Sequence, residues 1–216
     1  MPIGDHLRDV MDLYGSPKCP HTNAVLIAAG EKGVDINSHV EDDWGPSSSI
    51  RSMSPLGIGP VLKDRSAVNI GLVSCMSYLD DKGFGPSLVH RNGVTRARMF
   101  QEISIAQQTD CSDDAALSAA LDQLEATLNS PLGNMKGDYC VGQYTLADCA
   151  WAGVCQVATN MGKGTAVSSR SAVNTWFAAV QSHPSTSKEA INPFSCLSTK
   201  ADHDANSMRD VRINTA

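Results

Sequence analysis

Residues 14–33, Tyr-Gly-Ser-Pro-Lys-Cys-Pro-His-Thr-Asn-Ala-Val-Leu-Ile-Ala-Ala-Gly-Glu-Lys-Gly, constrain the fold more than any other stretch of the chain. Met11, Leu13 and Tyr14 end a short strand, and Gly15, Ser16 and Pro17 make a turn. Pro20 suits the first helical position, because the amide that proline lacks has no partner there in any case. This spacing predicts Cys19 at the helix N-cap. Unpaired amides and the positive end of the helix dipole favour a thiolate at that point. A single cysteine is more often a small packing residue than a reagent. Its position is what sets Cys19 apart.

The helix ends at Lys32-Gly33, a cation followed by a residue free to turn left-handed. Val34, Ile36, His39 and Val40 read as a strand, and the polar residues 42–53 as an irregular connection with room for a short helix. Val61 and Leu62 begin a strand that pairs with 67–70 as a hairpin. Leu72, Cys75, Met76 and Leu79 recur at helical spacing before Gly83. The reading is a short extension over 1–10 and a compact α/β unit over 11–83. Residues 84–93, with two glycines and a proline, read as a linker.

Residues 94–182 are helical in pattern. Helices are expected over 95–108 and 113–129, the second with Leu117, Leu121, Leu124 and Leu128 on one face, an arrangement typical of a core. Thr145-Leu146-Ala147-Asp148 has the form of a capping box before the apolar run 149–157, which predicts a central helix. Trp176 and Phe177 anchor a last amphipathic helix over 173–180. Residues 183–216 form a polar tail of mixed charge.

Composition removes several classes of function. The 216 residues carry a formal net charge of −6 with no large basic block, which argues against nucleic acid as a partner. No apolar run approaches the roughly 20 residues of a membrane span, and residues 1–10 lack the apolar centre of a secretory signal. A cytoplasmic location is the default expectation. The seven cysteines are odd in number and include no Cys-x-x-Cys pair, so reduced thiols are expected and neither a disulfide framework nor a bound metal is.

The turn Leu13-Tyr14-Gly15-Ser16-Pro17 with Cys19, the segment Ser54-Pro55-Leu56-Gly57-Ile58-Gly59-Pro60-Val61-Leu62, the pair Tyr78-Leu79 and the box at Thr145 follow one another at telling separations. Together they resemble the glutathione transferase superfamily over roughly residues 11–182. The resemblance implies an α/β thioredoxin-like N-terminal domain followed by an all-α C-terminal helical domain. It implies a cis bond before Pro60 and a main-chain contact from Gly59, where the family usually has valine, to the cysteinyl part of glutathione.

The resemblance also places Gly71 and Leu72 where the family has a Glu-Ser pair that holds the γ-glutamyl end. Glycine offers no countercharge to the ammonium, and leucine no hydroxyl to the carboxylate. Each charged hydrogen bond lost forfeits about 1.5–3 kcal/mol, roughly one to two orders of magnitude in affinity. The glutathione-binding candidates are therefore Gly59, Pro60 and Leu72, through the backbone alone.

By the same resemblance Cys19 marks the cysteine-type members, which favour thiol exchange through a mixed disulfide. Ser16 is the second candidate for the catalytic position. His21 and Asn23 receive no role, since a histidine beside a helix start is more often a polar surface residue.

The expected function is a glutathione-transferase-like binding or assembly subunit with a damaged glutathione site and little or no turnover. The alternative is a cysteine-type glutathione-dependent transferase or thiol transferase using Cys19, and a lesser third is a carrier of an apolar molecule in the cleft. A protein partner is expected at the tail. By resemblance a homodimer is expected too, through the helices over 72–82 and 95–108.

Overall fold

The computed structural model describes residues 10–41, 48–129 and 137–183. Most of the N-terminal extension and the tail from residue 184, with the partner contact expected there, lie outside the described residues. Strand β1 (Met11–Gly15) leads through the expected turn into helix α1 (Pro20–Glu31). Then come β2 (Ile36–Val40), a short α2 (Ser49–Met53), the hairpin β3 (Val61–Asp64) and β4 (Ala67–Ile70), and α3 (Leu72–Lys82).

The four strands form one sheet in the order β2-β1-β3-β4. β1 runs parallel to β2, with Met11 opposite Ile36, and antiparallel to β3, with Tyr14 opposite Val61. β1 alternates strictly: Met11, Leu13 and Gly15 are buried, while Asp12 and Tyr14 are half-buried. That period of two puts Met11 and Leu13 in one buried core with residues of α1 and α3.

The remainder is helical: α4 (Gly93–Gln108), α5 (Asp114–Asn129), α6 (Leu146–Ala158), α7 (Gly164–Ser168) and α8 (Ser171–Gln181). A mixed sheet with its helices, followed by a helical region, is the architecture the resemblance implied. Every residue of α6 is buried, so it is the central helix that the capping box foretold. α6 packs most extensively on α1. Gly153 permits that approach, because a Cβ there would lie 2.4 Å from the Pro20 carbonyl oxygen.

Asp148 shows why the box matters beyond α6. Its carboxylate accepts the amides of Thr145 and Cys140 at 2.8 and 3.0 Å and the Trp176 indole N–H at 2.9 Å, joining the start of α6, the preceding loop and α8. Burial raises its pKa against the pull of those donors. A second buried pair, Lys32 Nζ to Asp80 Oδ1 at 3.1 Å, ties the end of α1 to α3, and Lys32 also donates to the Pro86 carbonyl.

Several details differ from the sequence reading. The ladder of β2 begins at Ile36, although Val34 is buried beside it. α4 begins at Gly93, because the Asn92 side chain accepts the amides of Val94 and Thr95 as its N-cap. Between α6 and α7 the segment Thr159–Lys163 holds an unexpected kink, where Gly162 takes a left-handed φ of 79°.

Candidate functional site around Cys19

Cys19 is the N-cap of α1 with extended backbone (φ −91°, ψ 121°), and Pro20 occupies the first helical position, as the sequence required. The turn is held from several sides. The Cys19 amide donates to the Ser16 carbonyl at 3.0 Å, and the Ser16 hydroxyl accepts the Lys18 amide at 3.2 Å. The Asn23 amide donates to the carbonyls of Pro17 and Cys19, both at 2.9 Å. Ser16 and Asn23 thus shape the loop that presents the sulfur.

Cys19 itself is half-buried. Burial works to raise its pKa, but a hydrogen bond with the His21 imidazole, the charge on that ring and the amides of Thr22 and His21 outweigh it, and the thiol lies below its ordinary value. His21 is displaced the other way: burial would lower it, and the Cys19 sulfur and the Gln107 carbonyl carry it above the usual histidine value. His21 Nε2 lies 3.0 Å from the Gln107 carbonyl oxygen at the end of α4. Donation to that carbonyl holds the ring through Nε2.

The sequence reading withheld a role from His21. The signal lay in the Cys-Pro-His spacing, since the side chain at the second helical position can fold back over the N-cap. Its orienting partner lies 86 residues away and could not be read locally.

The other expected site residues meet at the same end of the sheet. The Gly59–Pro60 bond is cis, as the resemblance implied. Gly59 and Pro60 precede Val61, the partner of Tyr14, so they lie beside the Gly15–Ser16 turn. Gly59 is buried, and neither its amide nor its carbonyl has a hydrogen-bond partner among the described residues. A buried peptide group without a partner is rare and fits an incoming main chain.

The Gly71 amide donates to the Pro60 carbonyl at 2.8 Å, which brings the start of α3 to the same place. There the site offers little to a charged head. Gly71 has φ 83° and ψ 167°, a region open in practice only to glycine. Leu72 is 2% exposed, its side chain packed into the core, so only its backbone remains available. The surroundings are apolar: Ile58 lies within 3.6 Å of where a Gly71 Cβ would stand, and Ile58, Ile70 and Val73 are all exposed.

The other described cysteines are of a different kind. Cys75, Cys111, Cys140, Cys149 and Cys155 are buried. Burial pushes Cys75 up to about 12 and Cys111 up to about 11. It raises Cys140, Cys149 and Cys155 as well. Among the described residues no cluster of His, Cys, Asp and Glu could hold a metal ion, and no helix is long and apolar enough to cross a membrane.

Among solved structures the chain is similar to maleylacetoacetate isomerase from Methylobacterium extorquens AM1 with bound malonate and glutathione. That likeness has a TM-score of 0.72 at 16% identity and covers 87% of this chain and 98% of the other. The same fold is found in glutathione transferase F2 from Populus trichocarpa, with a TM-score of 0.65 at 20% identity over 81% of this chain and 94% of the other.

Among curated proteins this glutathione-transferase-like chain is similar to a stringent starvation protein A homolog from Coxiella burnetii, at 33% identity over 91 residues. That match spans 42% of this chain and 44% of the relative, less than half of the latter. A homolog of the same name from Pasteurella multocida is 26% identical over 152 residues, covering 66% of this chain and 72% of that protein. No known family profile matches the chain.

Proposed function

We propose that the chain is a cysteine-type thiol transferase on a glutathione transferase scaffold, acting through Cys19. The observation that carries this reading is the Cys19–His21 pair, which sets the sulfur below its ordinary pKa while burial raises every other described cysteine. The Cys19 thiolate attacks one sulfur of a disulfide. A new S–S bond forms to Cys19, the old one breaks, and the departing thiolate takes up a proton, which the His21 imidazolium is placed to supply. The unpaired peptide group of Gly59 would receive the main chain around the substrate cysteine.

Glutathione fits this site in part. Its cysteinyl portion matches Gly59 and the cis-proline, whereas its γ-glutamyl end meets Gly71, Leu72 and apolar side chains. The substrate is therefore a thiol or disulfide of which glutathione is a weakly held example. A second reading, a binding or assembly subunit with little turnover, is favoured by the glycine-only backbone at Gly71, which leaves no place for an acidic side chain. The similarity to stringent starvation protein A homologs, whose name suggests a regulatory setting, also supports it.

Alkylation of Cys19 followed across pH separates the two. The transferase reading expects a midpoint below the roughly 8.5 of an ordinary thiol, an upward move in His21→Gln, and release of a thiol from a small disulfide. A midpoint at or above the ordinary value, unchanged in His21→Gln, favours the binding subunit.

A further inference from the structure

Which thiol compounds reach Cys19 is decided by what lies beside the Gly59 peptide. Its amide and its carbonyl both lack a partner among the described residues, so the site has one donor and one acceptor to give. Another peptide group complements that pair. A peptidyl cysteine is the form of thiol that uses both.

The surface next to Gly59 is apolar. Ile58 precedes it and is firmly held: the Ile58 amide donates to the Ser54 hydroxyl at 3.0 Å, and the Gly57 amide to the Ser54 carbonyl at 2.7 Å. The Ile58 side chain is 49% exposed. A Cβ on Gly71 would meet, outside its own chain neighbours, only the Ile58 Cγ2 at 3.6 Å, so the notch between the two residues is open. The hydrogen bond from the Gly71 amide to the Pro60 carbonyl keeps this notch beside Gly59. Ile70, at the end of β4, and Val73, in the first turn of α3, flank Gly71 in the chain and are exposed.

A group entering the notch loses water to Ile58. For a charge that is a cost with no partner gained, whereas for a hydrocarbon the sign reverses. Resting on the reading of Cys19 above, we propose that the substrate is a disulfide of a peptidyl cysteine preceded by a large apolar residue, and that Ile58 sets this preference. The apolar residue takes the place that the γ-glutamyl group of glutathione would occupy, over Ile58 and Gly71. Pairing of the main chain with Gly59 meanwhile brings the cysteine sulfur to Cys19.

The test uses the full chain, reduced, and three mixed disulfides with one aromatic thiol whose thiolate absorbs visible light. Their other halves are acetyl-leucyl-cysteine amide, acetyl-glutamyl-cysteine amide and glutathione. In each, the Cys19 thiolate attacks the peptide sulfur, a Cys19–peptide disulfide forms, the original S–S bond breaks and the aromatic thiolate leaves as the weaker base. The leucyl substrate should reach half-saturation at a concentration at least about ten-fold lower than either charged one. Ile58→Ser should bring the leucyl and glutamyl values within about three-fold of each other, the change lying in half-saturation rather than in the maximal rate. Val73→Ser, at the other border of the notch, should shrink the ratio in the same sense.

Equal half-saturation by the leucyl and glutamyl substrates overturns the apolar preference and leaves the transferase reading standing. So does a preference for the glutamyl one, which would show that its carboxylate finds Arg51, whose guanidinium lies against Gly57. A leucyl preference that survives both substitutions overturns the role of the notch. Absence of thiolate release from all three, or release that persists in Cys19→Ser, fells the transferase reading and this inference with it.

Discussion

Glu31 closes α1 with a side chain only 2% exposed, its Oε2 lying 2.9 Å from His183 Nδ1. Burial raises its pKa, the Tyr144 hydroxyl pulls it back, and the charge of Asp148 raises it again, with a net value of about 7 against an ordinary 4.5. The neutral acid is thus the form the fold prefers. Because the folded carboxyl holds its proton more tightly than the unfolded one, stability is highest below about pH 4.5 and declines as pH rises toward 7. The displacement corresponds to a ceiling of about 3 kcal/mol. His183 is 26% exposed, and water reaching the pair lowers the expectation to about 1–2 kcal/mol.

Glu31→Gln keeps a hydrogen-bonding side chain and removes the titration. In urea unfolding between pH 4.5 and 8, the variant should gain on wild type by about 1–2 kcal/mol across the window, roughly 3–6 °C in Tm. Burial holds His183 below its usual value, which lowers stability on the acid side in both proteins, so the quantity to read is the difference between them. A constant difference from pH 4.5 to 8 would refute the assignment of a buried, neutral Glu31.

Asp148→Ala leaves the amides of Cys140 and Thr145 and the Trp176 indole without their acceptor, and should cost about 3–5 kcal/mol in chemical denaturation. A loss under about 1 kcal/mol would mean that water replaces the carboxylate. Gly153→Val drives a side chain into the Pro20 carbonyl and should cost at least about 1–3 kcal/mol. It should also slow Cys19 alkylation, since the start of α1 must move; stability lost with an unchanged alkylation rate would uncouple the two. Gly71→Glu restores the family's acid on a backbone that favours glycine, so it should destabilise by about 1–3 kcal/mol and leave calorimetric glutathione binding no tighter. Tighter binding would show that only the side chain was missing.

The legible parts of this chain are those fixed by neighbours in sequence. Pro20 placed Cys19 at the cap, Thr145 and Asp148 announced α6, and the spacing of Leu72, Cys75, Met76 and Leu79 gave α3 its buried face. Distant partners were not legible. The Gln107 carbonyl that orients His21 comes from the end of α4, and the indole that shares Asp148 lies 28 residues further on. The kink between α6 and α7 escaped notice for a related reason: its residues tolerate helix, and only the left-handed Gly162 breaks it.

These observations explain why the chemistry gathers at the ends of α1. Residues 22–29 of that helix are all buried, and the helix packs against α6 and α3. Burial disfavours charge in such a middle, and its weight shows in α3: Cys75, within the first turn of that helix, still rises to about 12. At the first turn, free amides and the His21 ring reverse the sign for a thiol that burial alone would have raised. At the last turn burial and the charge of the Asp148 carboxylate outweigh the Tyr144 hydrogen bond, and Glu31 is raised to about 7. The same helix therefore carries a depressed thiol at one end and an elevated acid at the other, and an interchange of the two environments would be expected to silence both.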